Sequence, residues 1–269
     1  MNRAGRDNAD QYWEQSTVLQ FWQGQVLTEG GSLKLQSPSD FDLDVTKIYI
    51  GEISGTHYFA VNIEIPEGAG NTLREIVANL NESHLEAAVT ALALINWHET
   101  HTHCPRCGEK TNVISNGWVR ECPADGTHHF PRTDPAIIVA VQDRNGRLCL
   151  GRQAIWPENR YSNFAGFVEP GESLEDTVVR EVEEESGLVV TDISYLKSQP
   201  WPFPNSIMLA FEAFTDNPEL AKPDGVEIVD LKWFSKAELK SAIANGTLNI
   251  PPKSTVSGKM IEAWLNGKR

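Results

Sequence analysis

Positive charge is what this 269-residue chain has least of. Its 23 lysines and arginines face 37 aspartates and glutamates, a formal net charge of −14. With no basic surplus to release counterions, non-specific attachment to nucleic acid or to an anionic membrane surface is excluded as its main activity. Long apolar runs are missing as well. The longest, over residues 87–97, is too short to span a bilayer, and the first twenty residues lack the apolar core of a signal peptide. The expectation is a cytoplasmic protein with no membrane partner. There are only four cysteines, Cys104, Cys107, Cys122 and Cys149. Without a secretion signal they read as reduced thiols, with metal ligation favoured over disulfides. Internal repeats and low-complexity tracts are absent too. What remains is ordinary globular composition, 40% hydrophobic and 22% charged, in a length that suits one large or two modest domains.

The most informative stretch runs over residues 166–188. A loop punctuated by Gly166, Pro170 and Gly171 leads to Ser173, a good N-cap, with Asp176 three residues on. Leu174, Val178 and Val182 recur at helical spacing, and Gly187 supplies a stop. Away from that apolar stripe, Glu181, Glu184 and Glu185 stand at i, i+3 and i+4 and share one helix face. Such a cluster repels itself unless a cation joins it, and carboxylate oxygens are the ligands that Mg²⁺ and Mn²⁺ prefer. Three glutamates alone would equally suit a solvated acidic face. The full pattern is more specific: Gly166, Glu172, Arg180-Glu181-Val182, Glu184-Glu185 and Gly187-Leu188 at fixed intervals resemble the signature of the Nudix hydrolases at every specified position. That resemblance implies an enzyme that cleaves nucleoside diphosphate derivatives, with Mg²⁺ or Mn²⁺ held on this helix. A single nucleotide in such a site is compatible with the acidic balance of the chain.

The chain around the helix divides into three. Residues 1–98 read as an α+β domain, with strands over 45–53 and 58–65 around Gly55 and helices over 73–80 and 84–98. His84 and His98 read there as helix-surface residues, and the module as a scaffold or dimerisation domain. Residues 99–131 carry Cys104-Pro-Arg-Cys107-Gly and Cys122-Pro-Ala-Asp125-Gly, two knuckles of the kind that place four ligands around one structural zinc. Asp125 is the first candidate for the fourth ligand and His128 the second. His129, His101 and His103 are further options, and a metal-free ribbon held by packing stays open. Cys149 reads as a buried core residue. Over residues 132–269, strands are expected at 136–141 and 148–152, joined through Asn145-Gly146, then at 190–196, 207–215 and 229–234. Helices at 236–245 and 257–265 follow. The fold class is α/β, and the resemblance makes it a Nudix α/β/α sandwich with a zinc-ribbon insert.

A second motif, Ser-Gln-Pro-Trp-Pro-Phe-Pro-Asn-Ser over residues 198–206, alternates three prolines and so forms a stiff, extended, non-helical segment. It resembles the mark of the NADH pyrophosphatase branch of the Nudix superfamily at every specified residue, and the upstream ribbon is a feature of that branch too. The implied reaction is hydrolysis of the pyrophosphate bond of NAD(H) to nicotinamide mononucleotide and AMP, with removal of NAD caps from RNA 5′ ends as a related activity. ADP-ribose, coenzyme A or another nucleoside diphosphate derivative is the alternative substrate. The resemblance implies Glu181, Glu184 and Glu185 as metal ligands and Arg180 as the residue that fixes a carboxylate. It adds Glu172 as a supporting or metal-binding carboxylate, Glu227 as a further ligand or base, and the Ala165 carbonyl as a metal contact. For the substrate it implies Phe167 and Gln199 at the adenine, with Ser206, Phe130 and Ser257 completing the site in a homodimer. The family often has tyrosine where this chain has Phe130, so stacking is retained there and a hydroxyl hydrogen bond is not.

Overall fold

The computed structural model describes residues 1–42 and 44–267. Packing divides the chain into two compact units: Met1–Thr133 with Trp201–Asn205, and Asp134–Pro200 with Ser206–Arg269. The expected N-terminal domain and ribbon therefore share one unit. A short piece of the prolyl motif belongs with them.

In the first unit the strands are β1 (Thr17–Trp22), β2 (Gln25–Glu29), β3 (Ser32–Leu33), β4 (Ile48–Ile53), β5 (Thr56–Asn62) and β6 (Gly70–Thr72). Their order is β3-β2-β1-β5-β4, with β6 on β2. β1 lies parallel to β5 and antiparallel to β2. The β4–β5 turn uses Ser54 and Gly55, both at positive φ, as a tight hairpin requires. Three strands before residue 45, β1, β2 and β3, were not anticipated. Helix α1 (Leu73–Ile76) is one turn that continues as a 3₁₀ turn, where one eight-residue helix was expected.

Helix α2 (Glu82–Thr100) is capped by Asn81, whose Oδ1 accepts from the His84 N–H at 2.8 Å. Its small Ala87, Ala88 and Ala91 pack with Leu19, Phe21, Ile48 and Ile50 on one sheet face, while Trp13, Val18, Tyr49 and Phe59 fill the other. The ribbon follows as β7 (Asn112–Ile114), β8 (Val119–Glu121) and β9 (His128–His129) in one antiparallel sheet.

His98 is not the plain surface residue expected. One ring nitrogen meets the Gly117 carbonyl at 2.8 Å and the other receives Arg120 Nη1 at 2.9 Å. Accepting from a guanidinium makes that nitrogen the unprotonated one, so the imidazole is neutral. Burial pushes its pKa down to about 4. Arg120 is buried and also spends Nε and Nη2 on Thr111, which fastens the ribbon to α2.

The second unit is built on β10 (Asp134–Asp143), a ten-residue central strand. β11 (Leu148–Gln153) joins it through the Asn145-Gly146 turn, where Gly146 sits at positive φ and buried Asp143 accepts from the Asn145 and Arg147 amides. β12 (Phe164–Phe167), α3 (Leu174–Ser186), β13 (Thr191–Trp201), β14 (Ser206–Thr215), β15 (Ile228–Phe234), α4 (Lys236–Ala244) and α5 (Val256–Leu265) complete it. The order is β13-β14-β10-β11-β15, with β12 also on β10. β10 runs parallel to β14 over ten residues.

Alternation along β10 builds the three layers. Ile137, Val139 and Val141 pack with Val178 and Val182 of α3, and Ile138 and Ala140 pack with Leu239 of α4 and Met260 and Ile261 of α5. This is the expected α/β/α sandwich. Cys149 is a core residue of the α3 side. β13 runs five residues beyond its expected end and takes in Pro200, which an edge strand tolerates because no ladder donor is lost there. No helix among the described residues is long and apolar enough to cross a membrane.

Gly258 gives the sharpest packing test. A Cβ there would lie 2.2 Å from the Pro252 carbonyl oxygen and 2.5 Å from that of Pro251, both backbone atoms that cannot swing aside. Alanine would gain roughly 1 kcal/mol of helix propensity in α5, but overpacking against backbone costs more, about 3 kcal/mol. Gly258→Ala is expected to lower Tm by several degrees, read by calorimetry. A raised Tm would show that the 251–252 turn yields.

Candidate functional site

Helix α3 is closed locally at both ends. Ser173 Oγ accepts from the Asp176 N–H at 3.1 Å, and Gly187, at φ 66°, donates its N–H to the Glu183 carbonyl at 2.8 Å. One expectation about this helix needs correcting. Glu185 does not stand off the apolar stripe. It is seven residues after Val178 and therefore almost directly in line with it, and only 4% of it is exposed. Glu181 lies beside the stripe with 13% of its side chain exposed, and Glu184 is 60% exposed. The three acids thus grade from core to solvent.

Electrostatics follow that gradient. Burial pushes the Glu185 carboxyl up to about 8, helped by Glu227, Glu181 and Asp224, against a single opposing hydrogen bond from the Ala165 amide. Burial also raises Glu181, in spite of Arg180. Arg180 is the counter-charge of the cluster. Its fork closes on Glu172, Nε to Oε1 at 2.5 Å and Nη2 to Oε2 at 2.9 Å. Nη1 reaches Glu181 at 2.9 Å and Glu184 at 3.0 Å, and Nη2 also meets the Phe167 carbonyl. Arg180, the Glu169 amide and the Thr177 hydroxyl hold Glu172 down to about 2, an ionised anchor.

Two observations bear on whether a cation fits here. Glu185 Oε2 is buried and has no hydrogen-bond partner, which a carboxylate tolerates only when another electrophile satisfies it. At Gly166 a Cβ would fall 1.9 Å from the Glu181 carboxyl carbon, so only glycine lets that acid lie against β12. A hard divalent cation suits this donor set of carboxylates beside the Ala165 peptide. Glu227 is an exposed loop acid coupled electrostatically to Glu185 and Glu181. Gln153 Nε2 holds its Oε1 at 3.0 Å, and Asp224 accepts from the Glu227 and Ile228 amides. Gln153, Asp224 and Thr177 were not picked out from sequence. Gln153 comes from a distant position and carries no local signal, whereas Asp224 closes the turn three residues before Glu227.

The substrate candidates are scattered more widely. Phe167 presents an exposed ring beside the Arg180 contact, and Phe130 in the first unit is exposed as well. Gln199 is engaged, its Nε2 donating to the Ser254 carbonyl and its Oε1 accepting from the Val256 N–H. Ser257 is buried against Ser162 and Asn163, and Ser206 is buried at the start of β14. These three act on the interior of the unit: Gln199 secures the entry to α5.

In the ribbon, the ligand atoms of Cys104, Cys107, Cys122 and Asp125 all lie within 4.8 Å of one another. The two knuckles share one construction. Gly108 and Gly126, both at positive φ, donate to the carbonyls of Cys104 and Cys122, each at 2.9 Å. The cluster fits a zinc site. His128 instead faces Glu121 at 3.4 Å, and His103 is bridged to Lys110.

Comparison with known proteins supplies three family matches: the NUDIX domain over residues 132–253, the NADH pyrophosphatase zinc ribbon domain over 99–130, and an NADH pyrophosphatase-like rudimentary NUDIX domain over 15–97. The chain is 38% identical over 235 residues to the NAD-capped RNA hydrolase NudC of Mycobacterium bovis, covering 81% of this chain and 74% of that one. It is 35% identical over 198 residues to the human NAD-capped RNA hydrolase NUDT12, covering 69% of this chain and 43% of that one.

The raised pKa of Glu185 has a signed consequence. Folded protein keeps a proton that the unfolded chain releases near 4.5, so metal-free stability falls as pH climbs from there towards 8. Glu185→Gln is therefore expected to abolish turnover and yet, in chelator at pH 8, to melt higher than the parent chain by about 1–3 kcal/mol of stability. The gap should close at pH 4.5 and narrow when Mg²⁺ is restored. Equal melting curves at pH 8 in chelator would contradict the buried carboxylate.

Proposed function

Because this chain belongs to the Nudix hydrolases, in the group that couples the domain to an NADH pyrophosphatase zinc ribbon, we propose that it hydrolyses the pyrophosphate bond of NAD(H), giving nicotinamide mononucleotide and AMP, and removes NAD caps from RNA. The observation that carries this reading is the unpartnered, buried Glu185 oxygen on the signature helix, in line with the apolar stripe that fixes its position. Mg²⁺ or Mn²⁺, when bound by Glu181, Glu184, Glu185 and the Ala165 carbonyl, would polarise the phosphoryl oxygens and offset charge on the leaving phosphate. Everything else falls to the side chains. Arg180, anchored by ionised Glu172, holds Glu181 and Glu184 in place against their mutual repulsion. Glu227, an exposed acid steadied by Gln153, takes the proton of the attacking water. Phe167 offers an exposed ring for the adenine to stack on. Gln199, Ser206 and Ser257 support the substrate site from behind.

The same reading extends to the rest of the molecule. Cys104, Cys107, Cys122 and Asp125 hold a structural zinc, and four filled positions leave none for catalysis. Zinc ligation by three of the four cysteines, with none of them in a disulfide, accords with a cytoplasmic enzyme. The homodimer, and a place for Phe130 in its substrate site, rest on the family resemblance. NAD(H) is preferred over ADP-ribose or coenzyme A because the whole prolyl motif is present.

Two measurements test these assignments. Turnover of NADH, NAD⁺, ADP-ribose and NAD-capped RNA, compared by kcat/KM with product identification, should give the mononucleotide and AMP in a strictly Mg²⁺- or Mn²⁺-dependent reaction. A kcat/KM for ADP-ribose or coenzyme A above that for NADH would overturn the substrate assignment. Elemental analysis should find one zinc for each four-ligand set. Asp125→Ala should release that zinc to chelator sooner, whereas His128→Ala should retain it. The reverse pattern would move the fourth ligand to His128.

A further inference from the structure

The prolyl motif has a donor problem. Three of its nine residues lack an N–H, so the segment cannot be held by its own ladder of amides. Part of its backbone is held instead by side chains of the N-terminal module. Asn96, on α2, directs one side-chain amide at two carbonyls, those of Pro202 at 3.2 Å and Pro204 at 2.9 Å. A primary amide nitrogen carries two hydrogens, which matches two acceptors spaced by one residue. The aromatic residues are fixed from the same side. The Arg74 guanidinium lies 4.2 Å from the Phe203 ring centre and 5.3 Å from that of Trp201. Those two rings meet edge to face at 5.0 Å, and Phe203 packs against the core that α2 forms with its sheet. Pro202 is buried. Trp201–Asn205 therefore counts with the first unit, although Gln199, Pro200 and Ser206 on either side belong to the second.

We propose that Asn96 and Arg74 are positioning residues that hold Trp201–Asn205 of the prolyl motif in its dinucleotide-selecting form, which makes the N-terminal module a determinant of substrate specificity. This rests on the reading of that segment as the selector for NAD(H). Neither residue is assigned to metal or to the reacting bond, so their effect separates from catalysis. Loss of the clamp alters which dinucleotide is bound well and leaves the pyrophosphate chemistry in place.

Asn96→Asp removes both donors and sets anionic oxygens against two carbonyls. Arg74→Leu removes the cation over the rings, and Arg74→Lys restores one. Two readouts on the full chain decide the matter. Hydrogen exchange of the peptide spanning 198–206 should quicken in Asn96→Asp and Arg74→Leu and return towards the parent rate in Arg74→Lys. KM for NADH should rise about tenfold, the equivalent of one to two lost hydrogen bonds, with kcat within about twofold. ADP-ribose turnover should hold steady, so that the NADH preference drops by the same factor. Unchanged exchange in both disruptive variants overturns the clamp. So does faster exchange with an unaltered NADH-to-ADP-ribose ratio, or an equal loss on both substrates. Arg74 is exposed on a one-turn helix, so its variants carry the test if Asn96→Asp does not fold. A parent chain that fails to prefer NADH sinks the underlying reading and this proposal with it, whereas the exchange data alone report whether the clamp exists.

Discussion

A carboxylate in an apolar layer is the constraint around which the second unit is arranged. Glu185 shares its line on α3 with Val178 and Val182, which are core residues. Burying an ionised acid there is unfavourable by several kcal/mol unless something repays it, so the free chain keeps the proton. A cation and that proton compete for the same oxygen, which couples metal affinity to pH and to folding. The surrounding features serve to hold this frustrated group in one place. Ser173 and Gly187 close the helix, Gly166 leaves room for Glu181 against β12, and the Ala165 amide steadies the buried acid. Arg180 does the complementary job at the exposed end. Its five donors tie Glu172, Glu181, Glu184 and the Phe167 carbonyl into one network, and the anchor is Glu172, held down to about 2.

The first unit repeats part of this plan without the acids. β1 has a parallel neighbour on one side and an antiparallel one on the other, as β10 does. The helix on that sheet, α2, presents alanine and leucine where α3 presents glutamate. Its inward face therefore packs closely on small and aliphatic side chains, and its chemistry has moved to other positions. His98 meets the ribbon through Arg120, and Asn96 meets the prolyl segment. A helix with no acid among its buried residues is free to act as a spine for its neighbours.

Local signals were legible in the sequence and long-range ones were not. Ser173, Gly187 and the Asn145-Gly146 turn act through the backbone within a few residues, so their chemistry is readable from spacing alone. The ribbon knuckles are similar, since each glycine closes a turn on its own cysteine. The burial of Glu185 was also available, because seven residues are two helical turns, yet a charge is naturally assigned to the wet face. Ser257 and Gln199 carried no such clue. Their partners, Ser162, Asn163, Ser254 and Val256, become neighbours only after β11, β13 and α5 have come together. The same holds for His98, which becomes buried only when the ribbon docks on α2. Strands β1 and β2 were missed although their residues are apolar and β-branched, because nothing in those runs needs chemistry.

Charge bears on how one site could serve both a free dinucleotide and a capped RNA. At −14 the body of the protein repels a phosphate backbone, and each further nucleotide adds repulsion instead of counterion release. On the proposed function, attraction comes from the dinucleotide end alone, through the exposed ring of Phe167 and a cation held by the acids of α3. Discrimination follows the same logic. A site that gains nothing from the chain beyond the cap recognises what the two substrates have in common, the pyrophosphate between two nucleosides.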